Sequence, residues 1–181
     1  FEVYGMNNYV SQFIAQKYPE DIKFNLDDIS VTTIDIECQS DQGFPEPHLA
    51  EWPITAITTK NSKENVYRTW GFGEFNPADN VVYTQCKNEA ALLHKFLEYW
   101  KDNYPDIVTG WNSIGFDMVY IVNRIRKVYG EEEIKKLSPW GNVKEDNRKD
   151  KFTGNTNYAY DIMGVTQLDY LNLYKKFTYL S

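Results

Sequence analysis

Cysteine is scarce in this chain, with only Cys38 and Cys86 among 181 residues. Two are too few for a disulfide scaffold, and their separation has no metal-ligand spacing. Histidine is as sparse: His48 and His94 lie far apart without clustered ligands, so packing or surface roles are expected of both. No apolar run reaches spanning length, and no signal peptide or lipidation motif is present. A cytoplasmic protein with no membrane partner is therefore expected. A glycine-rich phosphate loop, a Ser-His-Asp arrangement, internal repeats and low-complexity tracts are also missing. Positive charge is short, since 19 Lys and Arg against 26 Asp and Glu leave a formal charge of -7. That balance argues against a free-standing, high-affinity nucleic-acid binder, because phosphate neutralisation dominates such affinity. It does not exclude an acidic metal site that meets nucleic acid through its cations.

The chain is long enough for one domain with a real core, and 42% hydrophobic with 25% charged residues is a globular composition. Aromatics reach 16%, with fourteen Tyr, ten Phe and five Trp. Most of these rings are expected in core and boundary packing, and stacking surfaces are their other use. The sequence begins at Phe1 and ends at Leu180-Ser181 without terminal logic, so a piece of something longer is expected.

The run Val31-Thr-Thr-Ile-Asp-Ile-Glu-Cys38 sets two acids in a strand-forming stretch. Strand side chains alternate, so Asp35 and Glu37 share one face while Ile34, Ile36 and Cys38 take the other, with Cys38 expected in the core. Acids together on a buried strand are costly unless a cation sits between them, and a hard divalent metal with oxygen ligands is the simplest occupant. A second cue is Gly110-Trp-Asn-Ser-Ile-Gly-Phe-Asp117, which delivers an acid just after an apolar strand. Together they point to a metal-dependent phosphodiester-cleaving site.

Along the chain, Val10, Phe13, Ile14 and Tyr18 fit one side of a short helix ended by Pro19. After the acidic strand and a turn-rich loop at 39–47, residues 53–59 and 65–71 read as strands of a three-stranded antiparallel meander. Val81 to Tyr83 reads as a further extended piece. From Asn88 to Asn103 the period turns helical, with Leu92, Leu93, Phe96, Leu97 and Trp100 on one face. Residues 106–111 read as a strand. A second helix starts near Phe116, with a stripe of Met118, Ile121, Val122, Ile125 and Val128 closing before Gly130. Residues 143–163 read as a protruding hairpin with Gly154 near its tip, and residues 165–174 as a strand running into a helix. Strands first, then alternating helix and strand, match a mixed α/β sheet covered by helices, the ribonuclease-H-like arrangement. The basic residues Arg124, Arg126, Lys127, Lys135 and Lys136 read as a solvated helix face, with contact to a DNA backbone as the alternative.

Asp35-Ile-Glu37 and Asn112-Ser-Ile-Gly-Phe-Asp117 resemble the first and second exonuclease motifs of family B DNA polymerases. The runs Asp41-Gln-Gly-Phe-Pro-Glu-Pro47 and Leu168-Asp-Tyr-Leu-Asn-Leu-Tyr-Lys-Lys-Phe177 are similar to the T-even-like bacteriophage branch. The resemblance runs from about Ile29 onward. It implies a 3′–5′ proofreading exonuclease fold over residues 29–181, with residues 1–28 as an N-terminal segment possible in a neighbouring domain. It implies two Mg²⁺ or Mn²⁺ ions, Asp35 bridging both, Glu37 holding the one that activates water, and Asp117 ligating from the other side. Two such ions about 4 Å apart stabilise the attacking and leaving oxygens of an in-line displacement. It also implies Phe44, Asn112, Phe116 and Gly154 as DNA contacts: Phe44 by stacking on bases or else as a loop lid, Asn112 to a terminal sugar or as a brace of its loop, and the Gly154 hairpin in parting primer from template.

One departure stands out. The family's third motif, Tyr-x-x-x-Asp, has no match, so the fold is expected to be C-terminally incomplete, its metal site to lack a closing ligand, and the isolated chain to be weakly active or inactive as a nuclease. Asp169 and Asp161 are poor substitutes by position, and Asp169 is expected to brace or cap. The resemblance implies the 3′ end of single-stranded DNA, the remainder of a polymerase and replisome proteins as partners; an exposed sheet face adds possible self-association. Two rivals remain: another ribonuclease-H-like nuclease, and a non-catalytic DNA- or partner-binding piece.

Overall fold

A computed structural model describes residues 9–21, 23, 25–41, 43–149 and 154–178. The elements are α1 (Tyr9–Lys17), β1 (Val31–Cys38), β2 (Ile54–Asn61), β3 (Tyr67–Phe72), β4 (Val81–Cys86), α2 (Glu89–Asp102), β5 (Ile107–Gly110), α3 (Asp117–Tyr129) and α4 (Glu131–Ile134). There follow β6 (Val143–Glu145), β7 (Arg148–Lys149), β8 (Thr156–Asn157), β9 (Tyr160–Ile162), β10 (Thr166–Asp169) and α5 (Tyr170–Thr178).

A six-stranded mixed sheet in the order β10-β5-β1-β2-β3-β4 forms the frame. β1, β2 and β3 make the antiparallel meander, with Asp35 opposite Thr58 and Thr58 opposite Thr69. β5 lies parallel to both β1 and β10. β4 is a full six-residue strand and pairs parallel to β3.

Alternation divides β1 cleanly. Thr32, Ile34 and Ile36 are buried, whereas Thr33, Asp35 and Glu37 are exposed. The buried face joins Ile57, Trp70 and Val108 in one core with α2 and α3. Helix α2 forms where its period and caps agree. Asn88 accepts the Ala91 N–H at its start, and Leu92, Leu93, Phe96, Leu97 and Trp100 all point inward. Trp100 also donates its indole N–H to the Leu137 carbonyl at 2.9 Å, satisfying a buried polar group at no cost to packing.

Helix α3 departs from a simple stripe: every residue from Asp117 to Ile125 is buried. The segment from Phe44 to Trp52 closes over its outer side. Tyr120 donates to the Trp52 carbonyl, Asn123 to that of Pro47, and Arg124 to that of Ala50 while pairing with Glu89. Arg124 is therefore buried rather than on a solvated face, and the other basic residues of this region have partners. Arg126 pairs with Glu131, Lys135 with Glu132, Lys136 with Glu133, and Lys127 donates to the Ala50 carbonyl.

The expected hairpin is present in two steps, β6 against β9 and, beyond it, β7 against β8. Gly154 sits on its return side at φ +73°, a left-handed conformation that suits glycine. At its base Tyr160 donates to Asn123 and receives Arg126, which fixes the hairpin to α3. Residues 11–21 are exposed, including Phe13, Ile14 and Tyr18.

Candidate active site

The site is built where β1 and β5 part. Their parallel pairing covers Val31 to Thr33 against Ile107 to Thr109. Beyond it, Gly110 crosses β1 so closely that a Cβ there would stand 2.6 Å from the Ile34 carbonyl oxygen. The chain then turns through Asn112, which adopts φ +60°, and enters α3 at Asp117. The edge of β1 past Thr33 is therefore left to a side chain. Asp117 takes it, accepting the Ile36 N–H at 3.0 Å.

This bond puts the Asp117 carboxylate against the backbone between Asp35 and Glu37. Asp117 is 4% exposed, whereas Asp35 and Glu37 face solvent. The cost expected of burying both strand acids therefore does not arise; it falls on Asp117 instead. Burial, with the charge of Asp35 next in weight, pushes the Asp117 carboxyl up to about 7, against the pull of the Ile36 hydrogen bond. Cys38, at the end of the same strand, is pushed up to about 12 by burial and stays a neutral thiol.

The turn that delivers Asp117 is held at both ends. The Asn112 carbonyl accepts the N–H groups of Gly115 and Phe116, and the Ser113 carbonyl accepts that of Met118. From the other side comes Asp169, the last residue of β10, which pairs with Gly110 and is 5% exposed. Its carboxylate accepts N–H groups from Asn112 at 3.0 Å, Ile114 at 3.1 Å and Leu171 at 2.9 Å. The expected bracing acid is borne out, and it caps α5 as well. Asn112 braces the loop through its backbone, while its side chain is exposed.

Two of the expected aromatic contacts meet. Phe44 is 80% exposed, yet its ring lies 4.8 Å from that of Phe116, which in turn touches Tyr120 at 5.6 Å. Asn112 and Gly154 border a common cleft of about 950 Å³, walled by the Glu46–His48 turn, the hairpin, Asp169 and Lys175. His48 has a packing role, stacking face to face on Tyr158 of the hairpin at 4.2 Å and 5°. No sequence signal marked that pair.

Asp35 and Asp117 are thus brought together, with Glu37 on the same strand face as Asp35. Among the described residues no three His, Cys, Asp or Glu side chains converge closely enough to hold a metal ion. The donor chemistry nonetheless fits a hard cation: all three candidate ligands are carboxylates, and Asp117 is held back from ionising partly by its acidic neighbour.

A family model described as the exonuclease domain of family B DNA polymerases matches residues 6–181. The chain belongs to this family. It is 32% identical to the DNA-directed DNA polymerase of Enterobacteria phage T4 and 30% identical to that of Escherichia phage RB69, in each case over 98% of this chain and 22% of the relative. It is also 34% identical, over 54% of its length and 9% of the relative, to the DNA polymerase delta catalytic subunit of Caenorhabditis elegans. The chain therefore spans about a fifth of the curated phage relatives it matches. The mixed sheet with its flanking helices is the fold expected of a family B exonuclease domain. Among the described residues no helix is long and apolar enough to cross a membrane.

Proposed function

We propose that this family B exonuclease domain removes the 3′-terminal nucleotide of single-stranded DNA by metal-dependent hydrolysis, proofreading for a DNA polymerase. The observation behind this reading is the Asp117 carboxylate hung on the Ile36 N–H between Asp35 and Glu37. Bound Mg²⁺ or Mn²⁺ would supply Lewis-acid polarisation and an activated water. Asp35 and Asp117 offer it oxygen ligands from two rigid elements, and Glu37 offers a third from the face of β1. In the reaction a water oxygen bonds to the terminal phosphorus, the bond to the neighbouring 3′ oxygen breaks, and that oxygen takes up a proton.

The remaining residues hold the strand. Phe44, resting on Phe116, presents a ring on which an unpaired base stacks. Asn112 extends its amide towards the terminal sugar, and the hairpin that carries Gly154 guides the strand into the cleft it shares with Asn112. Partners on this reading are the 3′ end of single-stranded DNA, the rest of a polymerase and replisome proteins. The cytoplasm is the compartment that fits them.

A second reading, a DNA- or partner-binding piece with no activity of its own, is favoured by one observation: no three ligands converge among the described residues. Mn²⁺-dependent shortening of a 5′-labelled single-stranded oligonucleotide, with Asp35→Ala as control, separates the two. Stepwise loss from the 3′ end that disappears in the control supports the exonuclease. Absence of cleavage, with Mn²⁺ binding still dependent on Asp35, supports the binding piece.

A further inference from the structure

We propose that Asp169 is a positioning residue of the exonuclease site, acting through the Asn112–Ile114 turn to set where Asp117 stands. The proposal takes the role of Asp117 from the exonuclease reading and adds a residue that the two acidic motifs do not contain.

Three N–H groups from two segments converge on this one carboxylate. Oδ1 accepts from Asn112 and Leu171, and Oδ2 accepts from Ile114. A carboxylate that accepts several main-chain N–H groups is a strong, charge-assisted anchor. The turn it grips is short and fully engaged. Asn112 holds φ +60°, a left-handed conformation that asparagine tolerates better than most residues with a side chain, and it makes the turn sharp. Two of the bonds flank that residue's peptide and the one beyond it. The carbonyls of Asn112 and Ser113 then launch α3 by accepting from Gly115, Phe116 and Met118. Asp117 is the first residue of that helix, and the Ile36 N–H ties its carboxylate to β1. A continuous line of hydrogen bonds thus runs from the end of β10, through the turn, to the middle of β1.

The geometry also explains why an acid stands at this place. The peptide N–H groups of Asn112 and Ile114 lie just past the end of β5, and both turn onto the buried Asp169 carboxylate. Left alone they would be part-buried donors without that acceptor. A neutral asparagine offers one acceptor oxygen in place of two. It can serve part of the set, but its amide would face an N–H at the other corner.

The test measures hydrogen exchange at individual backbone amides of the metal-free chain, for wild type, Asp169→Asn and Asp169→Ala. The expected result is exchange at Ile36 at least about tenfold faster in the variants, because the Asp117 carboxylate has drifted off that N–H, with the rest of β1 unchanged. Should Asp169→Ala fail to fold, Asp169→Asn reads the same amide with part of the network intact. Loss of protection at Asn112 and Ile114 with Ile36 at its wild-type rate would overturn the proposal, since the turn would then be loosened without moving Asp117. In the oligonucleotide assay the same variants should lose about tenfold or more in kcat with KM within about twofold, as expected for a misplaced ligand and an intact strand-binding surface. A wild-type chain that cuts nothing bears only on the activity of the isolated chain, because the Ile36 amide still decides the positioning role.

Discussion

The carboxylate of Asp117 accepts the Ile36 main-chain N–H at 3.0 Å, so an acid from the start of one helix closes the open edge of the strand that bears Asp35 and Glu37. The hydrogen bond favours the ionised form of Asp117, but burial and Asp35 outweigh it. Pre-positioning this carboxylate and keeping it partly protonated are two results of the same placement.

A pH dependence follows. The folded carboxyl of Asp117 titrates near 7, above its ordinary value. Such a group contributes stability that is present in full below the unfolded value and lost as pH rises through the folded one. Metal-free protein should therefore lose on the order of 2 kcal/mol between pH 5 and pH 8 from this group. Asp117→Asn, which keeps an oxygen for the Ile36 N–H, should flatten that part of the curve. Urea melts at the two pH values in EDTA check it; an unaltered slope in the variant would contradict the assignment.

Asp35→Ala should act in opposite directions with and without metal. In EDTA at pH 8 it removes the charge that crowds Asp117 and should raise the melting temperature by about 1–3 °C. With Mn²⁺ present, the wild type should gain stability by mass action and the variant should not. A variant that melts lower in both buffers would make Asp35 a structural acid.

Phe44→Ala should leave folding almost untouched, within about 0.5 kcal/mol, because the ring is mostly exposed. Affinity for a short single-stranded oligonucleotide should fall by about 5- to 100-fold, the worth of one stacked base. Fluorescence anisotropy of a labelled oligonucleotide measures this, and equal affinity in the two proteins would reduce Phe44 to a loop lid.

Gly110→Ala should be harmful despite its small size. The added carbon meets the Ile34 carbonyl oxygen at 2.6 Å and the Ser113 Cβ at 2.9 Å, and neither is the end of a flexible side chain. Separating β5 from β1 should cost about 1–3 kcal/mol in a urea melt. It should also depress nuclease activity, because both acidic motifs hang from those two strands. A neutral substitution would mean that the crossing of Gly110 over β1 has room for a methyl group.

The parts of this fold that were legible in sequence are those set by local period. The inward face of α2 follows from Leu92, Leu93, Phe96, Leu97 and Trp100, and the split faces of β1 follow from strict alternation around Asp35 and Glu37. What escaped depends on partners distant in sequence. Nothing around Tyr120, Asn123 or Arg124 signals that the Phe44–Trp52 segment will cover them and turn an amphipathic helix into a buried one. The parallel pairing of β4 with β3 is likewise fixed by registry across a connection, not by composition. At the site, the residue types of Asp35, Glu37 and Asp117 were readable, whereas the use of a main-chain N–H to hold Asp117 has no sequence signature. Asp169 lay between these cases: its place in the Leu168–Phe177 run set it apart from a third-motif ligand, and its three N–H donors emerged only with the fold.

The His48–Tyr158 stack joins the loop that presents Phe44 to the hairpin across the mouth of the cleft. Two arms that leave the chain 110 residues apart are thereby latched into one mechanical part. Any swing of the hairpin must either drag the Phe44 loop with it or break the face-to-face contact. For the rim to part between these two arms, the His48–Tyr158 contact would have to come undone.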